Sequence, residues 1–352
     1  CYYCLKCRAS RCPLDEQLGQ SPRHVSAGVE RGLSLLSTHL SFATAAHVMR
    51  EIGHVAVSGR QVETISEAVG EEAVVTEAAH IAAVAQAELA PLAVLCRQPT
   101  KPRTWIVEMD GVQVGLQDGS WQEVKCGIIY QLADRVEISA GRWELLRRAR
   151  CVGRESATEF RQRLWALLHH VGVCDGDSIV VVADGAEWID NTVEELFVGA
   201  TRIMDFYHTA ERIWAVAAVR FGAGTAAAQK WAAEKLHALK AGEVREVVSA
   251  FKRLKLQEAE AQGVREASVS YLEGHQGGMQ YDKYKEAGLP IGSGAIEGSC
   301  KYLVTARCKQ AGMRWTEKGV DAVLALRCWV LNERLDELRP RPEVKFEWAR
   351  AA

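Results

Sequence analysis

Residues 178–214, SIVVVADGAEWIDNTVEELFVGATRIMDFYHTAERIW, constrain the fold more than any other stretch of the chain. They open with an uninterrupted apolar run, 179–183, which reads as a strand covered on both faces. The run stops at Asp184-Gly185, a carboxylate on a turn at the strand's carboxyl end, where open α/β sheets place their ligands. A helix follows, and Thr192 and Glu195, at Thr-x-x-Glu spacing, predict a capping box in or near its first turn. A second apolar strand, 200–204, again ends in a carboxylate, Asp205, with His208 three residues on. A lone aspartate at a strand end is ordinarily a turn former. Two in one strand-helix-strand unit deliver acidic side chains to one edge of a sheet.

At 352 residues the chain has room for a large core and two or three domains. Its net charge of −2 gives no global basic excess, so any contact with nucleic acid must rest on local patches. No apolar run approaches the roughly 18 residues that a membrane span needs, and no membrane role is expected. Eleven cysteines, an odd number scattered along a long chain, suit a reducing cytoplasm better than a disulfide framework. In residues 1–15, Cys4 and Cys7 have the C-x-x-C spacing of one zinc knuckle. Cys1 and Cys12 complete the set only in a cramped arrangement. The expectation is therefore a partial zinc ribbon whose other half lies upstream, with zinc bound when that half is present. Free thiols are the plainer alternative. Cys126, Cys151, Cys174, Cys300, Cys308 and Cys328 read as buried or incidental thiols.

Residues 22–96 read as helical. One short helix starts after Ser41 and ends at Gly53. Ser58-Gly-Arg-Gln61 is a capping box for the next, with Val62, Ile65 and Val69 on one face. Two helices joined by a tight turn make a helix-turn-helix candidate, with Arg60 and Gln61 at the start of the helix that would meet DNA. An Ala-rich continuation leads to RQPTKPR, 97–103, a linker. Strand-like sequence then runs from Thr104 to about residue 152. It predicts an antiparallel meander of three or four strands whose first strand ends in Asp110. Ser156 and Glu159 cap a helix over 157–171. These elements belong to a core whose first part is 104–208. Residues 209–288 lack strand signals and read as an all-helical insertion. Residues 289–335 return to the core through GLPIGSGAIEGSCK, in which Ser293 is a candidate cap and Glu297 stands near a helix start. Lys301, Arg307, Lys309 and Arg314 follow with no acid among them and are expected at DNA phosphates. Residues 336–352 form a tail.

Asp110, Asp184 and Glu297 stand out by their settings. Hard carboxylate oxygens suit Mg²⁺, and two such ions can activate an attacking oxygen and neutralise a leaving one in phosphodiester chemistry. The pieces MDGVQVG, ADGAEWI, IMDFYHTAERIW, GLPIGSGAIEGSCK and RCKQAGMRW closely resemble bacterial insertion-sequence transposases of the ISKra type, relatives of the Mutator-like DDE transposases. The resemblance spans nearly the whole chain. It implies an α/β, RNase H-like mixed sheet with an all-helical insertion before the last acidic residue, preceded by a helical, helix-turn-helix region. It also implies Asp110, Asp184 and Glu297 as the metal-binding triad for two Mg²⁺ ions, with Mn²⁺ as a substitute. Asp205 and His208 match the D-x-x-H signature that lies beside the site. The implied function is cleavage of the element's own ends and strand transfer into target DNA by a homo-oligomer in the cytoplasm, on the nucleoid. The alternative is a truncated or inactive transposase-derived protein that only binds DNA.

Overall fold

The computed structural model describes residues 2–3, 6–8, 10–11, 25–87 and 101–341. Cys1, Cys4 and Cys12, most of the 97–103 linker and most of the tail lie outside these residues, whereas Cys7 is described and exposed.

A five-stranded mixed sheet forms the centre. Its strands are β1 (Thr104–Gly115), β2 (Trp121–Gln131), β3 (Ala149–Gly153), β4 (Ser178–Ala183) and β5 (Thr201–Met204), in the spatial order β3-β2-β1-β4-β5. β2 runs antiparallel to both β1 and β3, while β4 and β5 run parallel to β1. A separate two-stranded hairpin, Arg135–Ser139 with Arg142–Leu145, leaves the sheet between β2 and β3. The meander therefore has one excursion that the sequence pattern did not reveal. β1 also differs from expectation: it does not end at Asp110 but continues to Gly115, because β2 pairs with it along its whole length, from Trp105↔Gln131 to Gly115↔Trp121. Its parallel pairing with β4 stops earlier, at Glu108↔Val182. Asp110 thus emerges just beyond the end of its parallel neighbour, which preserves the strand-end setting by a different route.

Both faces of the sheet are covered, which explains the unbroken apolar runs. On one face Trp105, Val107, Met109 and Val181 pack against α4 (Ala157–Val171) and α5 (Glu187–Leu196) through Phe160, Leu164, Ile189 and Val193. α4 carries the full Ser156–Glu159 capping box expected of it. The Thr192–Glu195 box does not form: α5 begins earlier, at Glu187, so Thr192 lies mid-helix and its hydroxyl donates to the Trp188 carbonyl at 2.7 Å. The other face, with Ile106, Ile128, Val180 and Val182, packs against the helices that follow β5. These are α6 (Phe206–Phe221), α7 (Ala226–Lys240), α8 (Val244–Arg253), α9 (Ala259–His275) and α10 (Tyr281–Glu286), so the segment between the two core parts is helical as expected. The chain then returns as α11 (Gly294–Cys300), which runs on through a π-helical turn, Lys301–Thr305. It ends as α12 (Glu317–Leu331) and a short last turn. No helix among the described residues is long and apolar enough to cross a membrane.

Before the sheet come α1 (Ala27–His39), α2 (Phe42–Glu51) and α3 (Gly59–Ala87), which share a small core of Leu33, Ala45, Val62 and Ile65. The Ser58–Gln61 capping box is present: Ser58 N–H donates to Gln61 Oε1 at 2.9 Å and Gln61 N–H to Ser58 Oγ at 3.2 Å. α2 and α3 are joined by residues 52–58 rather than by a tight turn, and α3 is 29 residues long. Its second half packs on α12, through Val69 with Leu326 and Ala73 with Trp329. Two fully buried arginines fasten the end of α1 to the core. Arg327 donates to the Thr38 and Leu303 carbonyls, and Arg307 donates to the Ser37 carbonyl at 2.7 Å with its guanidinium over the Phe42 and Trp315 rings.

The α3–α12 contact is close enough to need a glycine. A Cβ on Gly70 would meet the Ala322 carbonyl oxygen at 2.2 Å, whereas one on Gly263 in α9 would meet nothing. Gly70→Ala is therefore expected to lower stability by about 1–3 kcal/mol through overpacking. Gly263→Ala should raise it by up to about 1 kcal/mol through helix propensity. Denaturant unfolding of both variants checks the pair, and an unchanged midpoint for Gly70→Ala would contradict the packing.

Candidate active site

The strand registers alone place three acidic residues in a row. Continuing Glu108↔Val182 by two residues sets Asp110 opposite Asp184, and continuing Ala183↔Met204 by one sets Asp184 opposite Asp205. Adjacent strands lie about 4.8 Å apart, so the three aspartates stand side by side, Asp184 and Asp205 just past the carboxyl ends of β4 and β5 and Asp110 on β1 where its parallel pairing stops. The Asp205 N–H donates to the Ala183 carbonyl at 2.8 Å, which carries the β4–β5 pairing up to this level.

Glu297 comes from far along the chain, and two buried carboxylates bring it in. Asp205, wholly buried, caps α6 by accepting the His208 N–H at 2.8 Å, and its other oxygen accepts both the N–H and the hydroxyl of Ser293. Ser293 therefore does not cap α11 with its side chain, as its position suggested; that hydroxyl is spent on Asp205. Glu108, also wholly buried, accepts the Ile296 N–H at 2.9 Å and the Tyr130 hydroxyl at 2.7 Å. Ile296 directly precedes Glu297, so the residue two before Asp110 on β1 fixes the turn of α11 that bears the third acid. The loop before it is pressed onto α6: Phe206 N–H donates to the Ile291 carbonyl at 2.8 Å, and a Cβ on Gly292 would lie 2.7 Å from the Tyr207 ring. That contact explains the first glycine of the GSG sequence.

Burial dominates the electrostatics. It pushes the Glu108 carboxyl up to about 7, against the opposing hydrogen bonds from Tyr130 and Ile296. It also raises Asp110, helped by the charge of Asp184 and opposed by the Gly111 N–H, which donates at 2.7 Å. Burial acts against charge on Asp205 too, but there the His208 and Ser293 donors win and hold it at about 2. His208 is raised to about 9, first by its contact with Asp205 and then by the charges of Asp205, Asp184 and Glu211. Its Nδ1 lies 3.4 Å from Asp205 Oδ1, an ion pair whose geometry falls short of a straight hydrogen bond.

Asp205, His208 and Glu297 each bring one potential ligand atom within 4.8 Å of the others. A protonated imidazole has no free lone pair on nitrogen, however, and both Asp205 oxygens already accept hydrogen bonds. At neutral pH this trio is an imidazolium between two carboxylates, which draws Glu297 toward the aspartate row. The oxygens of Asp110, Asp184 and Glu297 are less committed and, as hard carboxylate donors, suit Mg²⁺ or Mn²⁺ in kind, but the three do not all come within 4.8 Å of one another. Asp184 accepts the Ala186 N–H at 3.0 Å, and Glu297, 39% exposed, faces Lys301 Nζ at 3.8 Å.

The other expected residues divide. Lys301 is exposed beside Glu297, and Lys309 and Arg314 lie over the exposed ring of Trp121 at 6.0 and 5.4 Å. Arg307 is a correction: it is wholly buried and bonded to Ser37, so no phosphate reaches it. Arg60 is exposed and paired with Glu63 at 2.8 Å, while the Gln61 carbonyl oxygen is committed to its capping box. Cys126 and Cys300 are buried thiols, as expected; Cys126 is the register partner of Asp110 and the Cys300 thiol faces the Asp110 carboxyl. Tyr271 of the insertion was also missed; its hydroxyl donates to the Asp184 carbonyl at 2.8 Å. Glu108 did leave a signal, as a charge within the apolar run 105–109.

The family model described as Uncharacterised protein family (UPF0236) matches residues 13–337. No curated protein matches the chain.

Because the His208 pKa is raised on folding, the ion pair stabilises fully below about 6.5, and that stabilisation fades as pH rises through about 9. Asp205→Asn should return the His208 titration, followed by NMR, toward about 6.5 and remove this loss of stability between the two values. A His208 midpoint that stays near 9 in Asp205→Asn would show that another group sets it.

Proposed function

From the premise that the chain belongs to the uncharacterised protein family UPF0236, we propose that it is a DNA transposase of the DDE type, cutting and joining DNA with Asp110, Asp184 and Glu297. One observation carries the reading. Two aspartates stand in register where the parallel pairing of β1 and β4 ends, and a glutamate 113 positions after the second sits on a helix fastened to β1 and to the start of α6 by two further buried acids. Structural acids scattered on a surface have no need of such an arrangement. The strand order β3-β2-β1-β4-β5, with β2 antiparallel, is the order an RNase H-like core calls for, and the helical segment enters after β5 and returns just before Glu297.

Asp110, Asp184 and Glu297 would hold the divalent cations, which when bound supply charge neutralisation at the scissile phosphate and a more acidic attacking water. The protein's own groups do the rest. Burial of Asp110, with the charge of Asp184 beside it, makes Asp110 costly to ionise without a cation, so affinity and charge state are linked. The His208 imidazolium offsets part of that repulsion while the acids await a cation. Lys301, Lys309 and Arg314 offer exposed positive charge next to the acids and along the far end of the β1–β2 hairpin, a path for a phosphate backbone. The α2–α3 pair, with Arg60 exposed at the start of α3, is the candidate helix-turn-helix for reading the element's ends.

The test is a Mg²⁺-dependent cleavage and strand-transfer assay on a plasmid bearing the DNA that flanks this reading frame. The wild type should give joined products. Glu297→Gln should lower cleavage at least a hundredfold while DNA binding persists, and Glu317→Gln should leave both unchanged. Cleavage retained by Glu297→Gln rejects the assignment, and binding without any cleavage by the wild type favours a protein that only binds DNA.

A further inference from the structure

Beside the docking point of α11 lies a half-open cavity of about 500 Å³. Its lining includes Glu108, Arg135, Trp143, Glu144, Arg148 and Tyr207, two cations and two acids. Its volume falls among pockets of roughly 300–1,000 Å³ that hold small organic ligands. Two features mark it as unfilled chemistry rather than loose packing. Neither the Arg135 nor the Arg148 guanidinium has a hydrogen-bond or ion-pair partner among the described residues. Arg135 is half-buried, its pKa is lowered by desolvation against the opposing charges of Tyr130, Glu108 and Glu137, and its guanidinium lies over the Trp143 ring at 3.8 Å. A desolvated guanidinium with every donor unused is costly unless an anion completes it. The second feature is aromatic surface: Trp143 is 45% exposed and Tyr207 64% exposed, both at the cavity.

Two free guanidinium groups beside two open aromatic rings match a phosphate ester joined to a planar base. The position fits as well. Glu108 at the cavity floor precedes Asp110 by two residues of β1, about 6.7 Å along the strand, which is roughly two base steps of a DNA strand. The excursion that supplies Arg135, Trp143 and Arg148 is the hairpin inserted between β2 and β3 and the segment after it, which the sheet itself does not require.

We propose that this cavity receives one unpaired nucleotide of the DNA, its phosphate on Arg135 and Arg148 and its base against Trp143. The proposal rests on the DNA-processing reading above and names a nucleotide roughly two steps from the scissile phosphate as the one recognised out of the stack. The same chemistry exists in a free nucleotide, so the experiment has two arms.

In the first arm, three duplexes that differ at one position are titrated with the protein: fully paired, carrying one unpaired base, and carrying an abasic site there. The unpaired base should bind about tenfold more tightly than the other two, in line with the worth of stacking one base on an aromatic ring. Arg135→Ala/Arg148→Ala and, separately, Trp143→Ala should erase that preference and leave affinity for the paired duplex unchanged. Arg135→Lys should keep only part of the preference, since it retains the charge but not the planar fork. Equal affinity for abasic and unpaired-base duplexes overturns the proposal, as does a preference that survives both alanine variants. In the second arm, deoxynucleoside monophosphates are titrated against tryptophan fluorescence. Binding of free nucleotide that depends on Arg135, by a protein that binds no DNA, rejects the transposase reading and overturns the DNA source while leaving a nucleotide site. Binding of neither rejects both.

Discussion

Two buried carboxylates, Glu108 and Asp205, set the position of α11, and through α11 the position of everything that could react. Each is withdrawn from water and must find donors within the protein, because an unpaired buried charge is among the costliest features a fold can carry. Beside Tyr130 and the His208 N–H, the donors they find are backbone and hydroxyl groups of one short stretch, Ser293 and Ile296. Charge-assisted hydrogen bonds of this kind contribute about 1.5–3 kcal/mol each. The larger effect is geometric, since a helix held at two points by side chains from β1 and from the start of α6 cannot slide along the sheet. Gly292 belongs to the same constraint, as any larger residue there would lift the loop off the Tyr207 ring.

The rest of the chain reinforces that placement. The helical insertion does not hang free of the site: Tyr271 donates to the Asp184 carbonyl, and His275 faces Asp190 of α5 at 3.3 Å. A movement of α9 would therefore be felt at the Asp184 turn. From the other side, α12 carries the buried Arg327, which reaches the end of α1, while α3 lies along α12 so closely that Gly70 has no room for a side chain. The N-terminal helices, the sheet and the segment bearing Glu297 are thus tied through one packed interface.

Much of this was legible in the sequence where the signal was local. The apolar runs of β1 and β4, the Ser156–Glu159 and Ser58–Gln61 capping boxes and the helical insertion all follow from short-range patterns that tertiary packing did not override. The failures came where a residue's partner lies far away. Ser293 looked like a helix cap because nothing nearby announces that Asp205, 88 positions earlier, takes its hydroxyl. Arg307 looked like a phosphate ligand because it sits in a basic run, yet it turns inward to a carbonyl 270 positions away. Thr192 and Glu195 had the spacing of a cap but stand mid-helix, since Ala186 and the Asp184 turn already start α5. Cys126 and Cys300 carried no sequence signal at all, because only the β1–β2 register and the docking of α11 bring them to Asp110.

The central claim is that Asp110, Asp184 and Glu297 form one set of oxygen donors for a divalent cation. Mn²⁺ binding, followed by the paramagnetic resonance of the free ion, tests it without requiring a DNA substrate. The wild type should take up Mn²⁺ in a step that is lost in Asp110→Asn and in Asp184→Asn, weakened in Glu297→Gln and unchanged in Glu317→Gln. Equal Mn²⁺ uptake by the wild type and by Asp110→Asn and Glu297→Gln would contradict it.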